Sequence, residues 1–328
     1  MNEGAIAQTH RVVDGIRVLT PHAAYNILKA TYQPPKNKYI PQGTEVARIT
    51  AQLKVGHNPL IEGPSGNGKT TLVENIVSAQ NAILVTQMCS EGVDEAKLIG
   101  SIYVINSVPE YRDGTFLLAA RASQIAPVFI YLDEINNLRP EVRSALHAAT
   151  DDRKSVTYEV LGEGNVANPK NFHVIMSYNP NRLKALENSW MTRTDVIRLG
   201  YPESTVEQQI LLEVGGLKGF PNGSNIAEGM VKFANAIRGA KGYEVKNGDA
   251  GVLADAGLKQ EQQAEITLVR EAPSTRLLVK TCELIVLAGE KSENAMQNIY
   301  DSLLAGVSKT GELEKALVDL AGVLMPKF

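Results

Sequence analysis

The run Gly63-Pro64-Ser65-Gly66-Asn67-Gly68-Lys69-Thr70-Thr71 fits the pattern G-x-x-x-x-G-K-[ST], with Gly63, Gly68, Lys69 and Thr70 at the fixed positions. Glycines let the backbone curl so that successive N–H groups face a phosphate. Lys69 brings a compact positive charge to the β- and γ-phosphates. The Thr70 hydroxyl can ligate Mg²⁺, which keeps most of its water and takes few protein ligands. A second stretch, Val128-Phe129-Ile130-Tyr131-Leu132, runs into Asp133-Glu134. A strand buried on both faces of a parallel sheet reads this way, and ligands sit at its carboxyl end. Asp133 would hold Mg²⁺, directly or through water, and Glu134 would polarise the water that attacks a γ-phosphate. A third apolar run, Phe172 to Ser177, ends in Tyr178-Asn179-Pro180, where the amide of Asn179 can orient that water. Arg276 falls in the first turn of a helix opened by Pro273-Ser274. A cation there opposes the helix dipole, so either a γ-phosphate compensates it or it is an exposed arginine at little cost.

These residues need elements to hold them. Leu60-Ile61 reads as the end of a buried strand, and Lys69 to Ala79 as a helix with Leu72, Val73, Ile76 and Val77 inward. The N-terminus of that helix adds its own partial positive charge beneath the loop. Ala82 to Thr86, Phe172 to Ser177 and Val196 to Leu199 complete a set of strands alternating with helices, which predicts an α/β fold with a parallel sheet. Ser101 to Tyr111 reads as one β insertion and Val156 to Asn168 as another, while Asp113-Gly114 signals a turn before a helix. Thr20-Pro21 predicts a helix start, and Thr44 a cap for a helix ended by Gly56. Beyond Tyr201-Pro202 strand signals fade. Ser204-Thr205-Val206-Glu207 has the form of a capping box. Apolar stripes at Ile226, Met230, Phe233 and Ile237, at Met296, Ile299, Leu303 and Val307, and at Leu313, Leu317, Leu320 and Leu324 read as helical core. The glycines and charges of Gly239 to Glu265 read as a mobile loop. The expected domains are an N-terminal extension and connector over 1–43, an α/β nucleotide-binding core over 44–200, and a helical lid with C-terminal helices over 201–328.

Composition removes several classes of function. Lys+Arg 33 against Asp+Glu 36 gives a net charge of −3, with no basic run, which argues against a broad nucleic-acid footprint. Cys89 and Cys282 have no paired spacing, so a disulfide framework is not expected and a reducing compartment is. Met1 to Arg17 has no apolar signal region and no stretch is apolar enough to span a bilayer, so the expectation is a cytoplasmic protein with no membrane partner. His10, His22, His57, His147 and His173 show no ligand spacing.

Together the loop from Gly63 to Thr71, Asp113-Gly114, Asp133-Glu134-Ile135-Asn136, Asn179-Pro180, Arg193, Tyr201-Pro202 and Pro273-Ser274-Thr275-Arg276 resemble the AAA+ ATPases of the MoxR type, in the CbbQ/NirQ/NorQ/GvpN branch. The resemblance covers about Tyr39 to Leu287. It implies a P-loop NTPase core with β-hairpin insertions, followed by a small all-α lid. It implies ATP with Mg²⁺ as cofactor, held between subunits of a hexameric ring. It gives Asn179 the sensor 1 position, Arg276 the sensor 2 position, and Arg193 the arginine finger acting on the neighbour's ATP, with Arg153 and Arg182 as alternative trans arginines. Thr194 follows Arg193 where the family usually has Phe, and no aromatic-hydrophobic pore-loop motif is present. The function implied is remodelling, activation or assembly of a client protein, with a von Willebrand factor A-domain adaptor as partner. A nucleotide-gated switch with slow hydrolysis and a nucleic-acid-directed motor are the alternatives.

Overall fold

The computed structural model describes residues 9–150, 156, 166–180, 186–187, 190, 194–244, 256–269, 272–288 and 311–324. Among the described residues the first strands form a hairpin, β1 (His10–Val13) and β2 (Ile16–Leu19). Its turn, Asp14-Gly15, has φ of 48° and 83°. Positive φ at both central positions is what a tight right-twisted hairpin requires, and Asp-Gly supplies it. The expectation of an extension and connector over 1–43 includes no such hairpin. Helix α1 (Pro21–Thr31) follows, capped as expected: the Thr20 hydroxyl accepts from the Ala23 N–H, and Pro21 sits in the first turn. Helix α2 (Glu45–Lys54) is preceded by Thr44, whose side chain makes no capping bond.

The next elements are β3 (Pro59–Glu62), α3 (Lys69–Ser78), β4 (Ile83–Met88) and the short α4 (Glu95–Leu98). The expected hairpin insertion is β5 (Gly100–Ile105) and β6 (Val108–Asp113), followed by α5 (Thr115–Ala122). β1, β2, β6 and β5 form a four-stranded sheet in that order, with β2 and β6 parallel through Arg17 and Glu110. Asp113 is the anchor of the insertion. Its carboxylate takes Arg121 Nε at 2.7 Å and Nη2 at 3.2 Å, with both side chains out of solvent. Losing one partner of such a pair costs about 3–5 kcal/mol, because the other charge stays buried alone.

The central sheet adds β7 (Val128–Asp133), β8 (Phe172–Tyr178) and β9 (Asp195–Arg198). Its order is β4-β7-β8-β3-β9, and every neighbouring pair is parallel. All six residues of β7 are buried, as a strand covered on both faces must be. The register Leu60–Met176 between β3 and β8, and Leu132–Met176 between β7 and β8, brings the carboxyl ends of these three strands level. Between β7 and β8 lie α6 (Pro140–Ala145) and α7 (His147–Thr150). Val166 N–H bonds the Val156 carbonyl at 2.9 Å; the rest of the second expected insertion lies outside the described residues.

The chain forms two compact units, Met1–Lys36 with Thr44–Gly63 and Lys69–Leu199, and Asn37–Gly43 with Pro64–Gly68 and Gly200–Phe328. The second is helical: α8 (Ser204–Glu213), α9 (Gly223–Ala240), α10 (Gln260–Thr267), α11 (Thr275–Ala288) and α12 (Gly311–Leu324). Ile226, Met230, Phe233 and Ile237 pack with Leu313, Leu317 and Leu320 in one core. The stripe at Met296, Ile299, Leu303 and Val307 lies outside the described residues. Besides the side-chain cap expected of Thr44, two expectations for this second unit are corrected. Gly239 and Ala240 end α9, and α10 begins at Gln260, so the segment from Gly239 to Glu265 is not all loop. Ser204 to Glu207 is not a capping box: the helix is preceded by Glu203 with no side-chain cap, and Glu207 is buried in other bonds. No described helix is long and apolar enough to cross a membrane.

Candidate nucleotide site

In the first unit, β3 hands the chain to the loop at Gly63, whose N–H donates to the Tyr178 carbonyl at 3.1 Å. Helix α3 picks it up at Lys69, with Leu72, Val73, Ile76 and Val77 buried beneath. Lys69 is 6% exposed, and its ammonium donates to the Gly63 carbonyl at 2.9 Å. It is thus held inside the mouth of the loop rather than extended into water. The Thr70 hydroxyl lies 3.4 Å from Asp133 Oδ2.

Asp133 is held from its other oxygen. Ser177 Oγ donates to Oδ1 at 2.6 Å, and the Tyr131 hydroxyl donates to the same atom at 2.9 Å. Burial, and after it the Asp133 charge, pushes the Tyr131 hydroxyl well above its usual range, so it stays protonated and a donor. Two donors on Oδ1 leave Oδ2 facing Thr70. A hydroxyl and one carboxylate oxygen suit a small hard cation that keeps its own water. Neither Tyr131 nor Ser177 was singled out from sequence. Tyr131 was legible in principle, since it stands two residues before Asp133 and therefore on the same face of β7.

Partners that orient a metal-holding carboxylate are worth about 10–100-fold in metal affinity. Tyr131→Phe and Ser177→Ala should therefore each raise the Mg²⁺ concentration for half-maximal ATP turnover by about tenfold, with most activity regained at saturating Mg²⁺. A Mg²⁺ titration of the initial rate checks this; an unchanged midpoint removes both residues from metal positioning.

Glu134 follows in the left-handed region, with φ 57° and ψ 50°. Only a surrounding that over-determines the backbone keeps a non-glycine residue there, and such strain gathers at working sites. Its N–H donates to Ser177 Oγ at 3.1 Å, and Asn137 Nδ2 donates to its Oε2 at 2.8 Å. Cys89 stands at the end of neighbouring β4, its N–H on the Asp133 carbonyl at 2.9 Å. Burial first, then Asp133 and Glu134, push its thiol up to about 12, so no thiolate competes with the carboxylates. Asn179 is buried directly after β8, the strand between β7 and β3. Gly63, Lys69, Thr70, Asp133, Glu134 and Asn179 thus share the carboxyl ends of adjacent strands, and Thr71 continues α3.

The loop tip, Pro64 to Gly68, belongs to the second unit. Gly66 and Gly68 have φ of 76° and 96°, conformations open to glycine. Asn67 is buried, its carbonyl accepting from Gln42 Nε2 at 3.2 Å and its own amide donating to the Gly200 carbonyl at 3.3 Å. Pro64 is half-buried and Ser65 exposed. Arg276 is in the first turn of α11 with an exposed side chain; its N–H donates to the Gly66 carbonyl at 3.0 Å. Arg193, Arg153 and Arg182 lie outside the described residues.

Residues 58–193 match the family model described as AAA domain (dynein-related subfamily), and residues 207–323 match CbbQ/NirQ/NorQ C-terminal. Protein NorQ of Paracoccus denitrificans is 29% identical, over 87% of this chain and 93% of that one. Denitrification regulatory protein NirQ of Stutzerimonas stutzeri is 27% identical, over 81% of this chain and 85% of that one. Protein CbbQ of Hydrogenophilus thermoluteolus is 28% identical, over 63% of this chain and 74% of that one. With a parallel sheet carrying a phosphate loop, a helical C-terminal region, and family matches over both, the chain belongs to the MoxR-type CbbQ/NirQ/NorQ branch of the AAA+ ATPases.

Proposed function

We propose that this ATPase assembles as a ring, hexameric as the family resemblance implies, and uses Mg-ATP hydrolysis between subunits to activate, remodel or assemble a partner protein. The observation that carries the catalytic part is the division of Asp133: one oxygen saturated by Tyr131 and Ser177, the other 3.4 Å from the Thr70 hydroxyl. In this reading Thr70 and Asp133 hold Mg²⁺, which when bound neutralises charge on the phosphates. The amides of Gly63 to Thr71 and the Lys69 ammonium bind the triphosphate. Glu134 takes the proton of the attacking water, and Asn179 keeps that water in line. Arg276 takes the sensor 2 role on the γ-phosphate and Arg193 the finger role on the neighbour's, as the family resemblance implies. Catalysis is then mostly fixed charge set against charge that develops.

The activation role is supported by the relatives, one of which is named a denitrification regulatory protein. A von Willebrand factor A-domain adaptor in the cytoplasm is the partner that the resemblance favours. Mixing subunits tests the shared interface. Lys69→Ala and Arg193→Ala proteins are each expected to be nearly inactive, since a trans arginine is worth about 10³–10⁵ in turnover. Co-assembled, they should regain ATPase activity, because some interfaces pair an intact loop with an intact finger. Mixed rings that form and stay dead, by native mass and phosphate release, would overturn the interface reading. ATP turnover accelerated by the partner separates a motor from a passive switch.

A further inference from the structure

The second unit holds an ion pair that the site described above does not use. Glu207 on α8 and Arg238 on α9 are fully buried, with Arg238 Nη1 on Glu207 Oε2 at 2.6 Å and Nη2 on Oε1 at 2.9 Å. The guanidinium lies over the Tyr201 ring, 4.0 Å from its centroid. Nη1 also donates to Asn235 Oδ1 at 2.9 Å. Removing two charges from water costs several kcal/mol each, and apolar residues of similar volume often stabilise as well or better. What the pair supplies is direction, because a guanidinium donates in a fixed planar fork.

That direction is toward the start of α11. Arg238 Nε donates to the Pro273 carbonyl at 2.9 Å, and the Thr275 hydroxyl donates to Glu207 Oε1 at 2.6 Å. The pair thus grips both ends of the turn 273–275. Ser274 Oγ accepts from the Leu277 N–H at 3.3 Å, closing the first turn. The Arg276 N–H, an amide with no partner inside its own helix, goes instead to the Gly66 carbonyl at 3.0 Å. The contact is close. A Cβ on Gly66 would lie 2.6 Å from Ser274 Oγ, 2.7 Å from Ser274 Cβ and 3.3 Å from Arg276 Cβ. The tip of the phosphate loop rests on the same turn that the ion pair grips.

We infer that Glu207, Arg238 and Thr275 are positioning residues for ATP turnover: they fix the 273–276 turn, and through it Arg276 and the carbonyl of Gly66. The inference rests on Arg276 serving the γ-phosphate. None of the three touches the nucleotide.

A double-mutant cycle tests it on the full chain. Thr275→Val keeps shape and leaves the ion pair intact, so it is the main variant, with Glu207→Gln as the stronger one. Arg276→Ala is expected to lower kcat roughly a hundredfold, as for loss of one donor to developing charge. Thr275→Val is expected to lower kcat about tenfold with KM for ATP little changed, since an ångström of misplacement can cost on the order of a hundredfold. In the Arg276→Ala background the same substitution should change kcat less than about twofold, because it acts through a side chain already gone. An equal loss in both backgrounds, or no loss in either, overturns the positioning role while leaving Arg276 catalytic. If Arg276→Ala itself keeps wild-type kcat, the reading of Arg276 is what fails. Thermal midpoints of every variant report folding, and Thr275→Val decides the matter should Glu207→Gln not fold.

Discussion

Glu134→Gln is expected to bind ATP as tightly as the wild type and to hydrolyse it about 10²–10⁴-fold more slowly, the range for loss of a positioned general base. The substitution removes basicity and little else. The left-handed backbone at φ 57° is set by the chain on either side and by the N–H bond to Ser177 Oγ, which an amide side chain leaves in place. Asn137 Nδ2 donates to Glu134 Oε2 at 2.8 Å, and a glutamine oxygen can accept the same bond. Equilibrium binding and single-turnover hydrolysis, measured side by side, separate the two effects. Turnover within tenfold of wild type would remove Glu134 from the proton transfer.

Lys69→Ala should instead lose nucleotide. An ammonium about 4 Å from a phosphate charge contributes about 4 kcal/mol at an effective dielectric near 20. That corresponds to a rise in Kd on the order of 10³. The lysine is already drawn into the loop by the Gly63 carbonyl, so little ordering remains when phosphate arrives. Removal forfeits the attraction without releasing a floppy chain. Arginine should not restore it, because a planar fork does not fit where a point charge was held. Calorimetry with ATP gives the comparison, and Kd within tenfold of wild type would refute a phosphate-binding lysine.

The parts of the site that were legible in sequence are contiguous. The phosphate loop carries its own geometry in nine residues, and β7 announces itself by an apolar run ending in two carboxylates. What was not legible is long-range. Ser177 reaches Asp133 across 44 positions, and Thr275 reaches Glu207 across 68. No local pattern encodes those bonds. Glu207 even carried a misleading local pattern: three residues after Ser204 it has the spacing of a capping box, yet the burial of Arg238 claims its carboxylate. The N-terminal hairpin was missed for a different reason. Its strands are four residues each, too short for alternation to stand out, which leaves the Asp14-Gly15 turn as its local signal.

That hairpin has a consequence for handling the protein. β2 runs along the flank of β6 opposite to β5, and β1 closes the row beyond it. Trimming a fragment to begin after Leu19 would bare the hydrogen-bonding side of β6, whose N–H and C=O groups would recruit any extended chain they met. Such a fragment is a candidate for self-association and poor yield even with every nucleotide-binding residue intact. A boundary drawn before His10 keeps the seam covered.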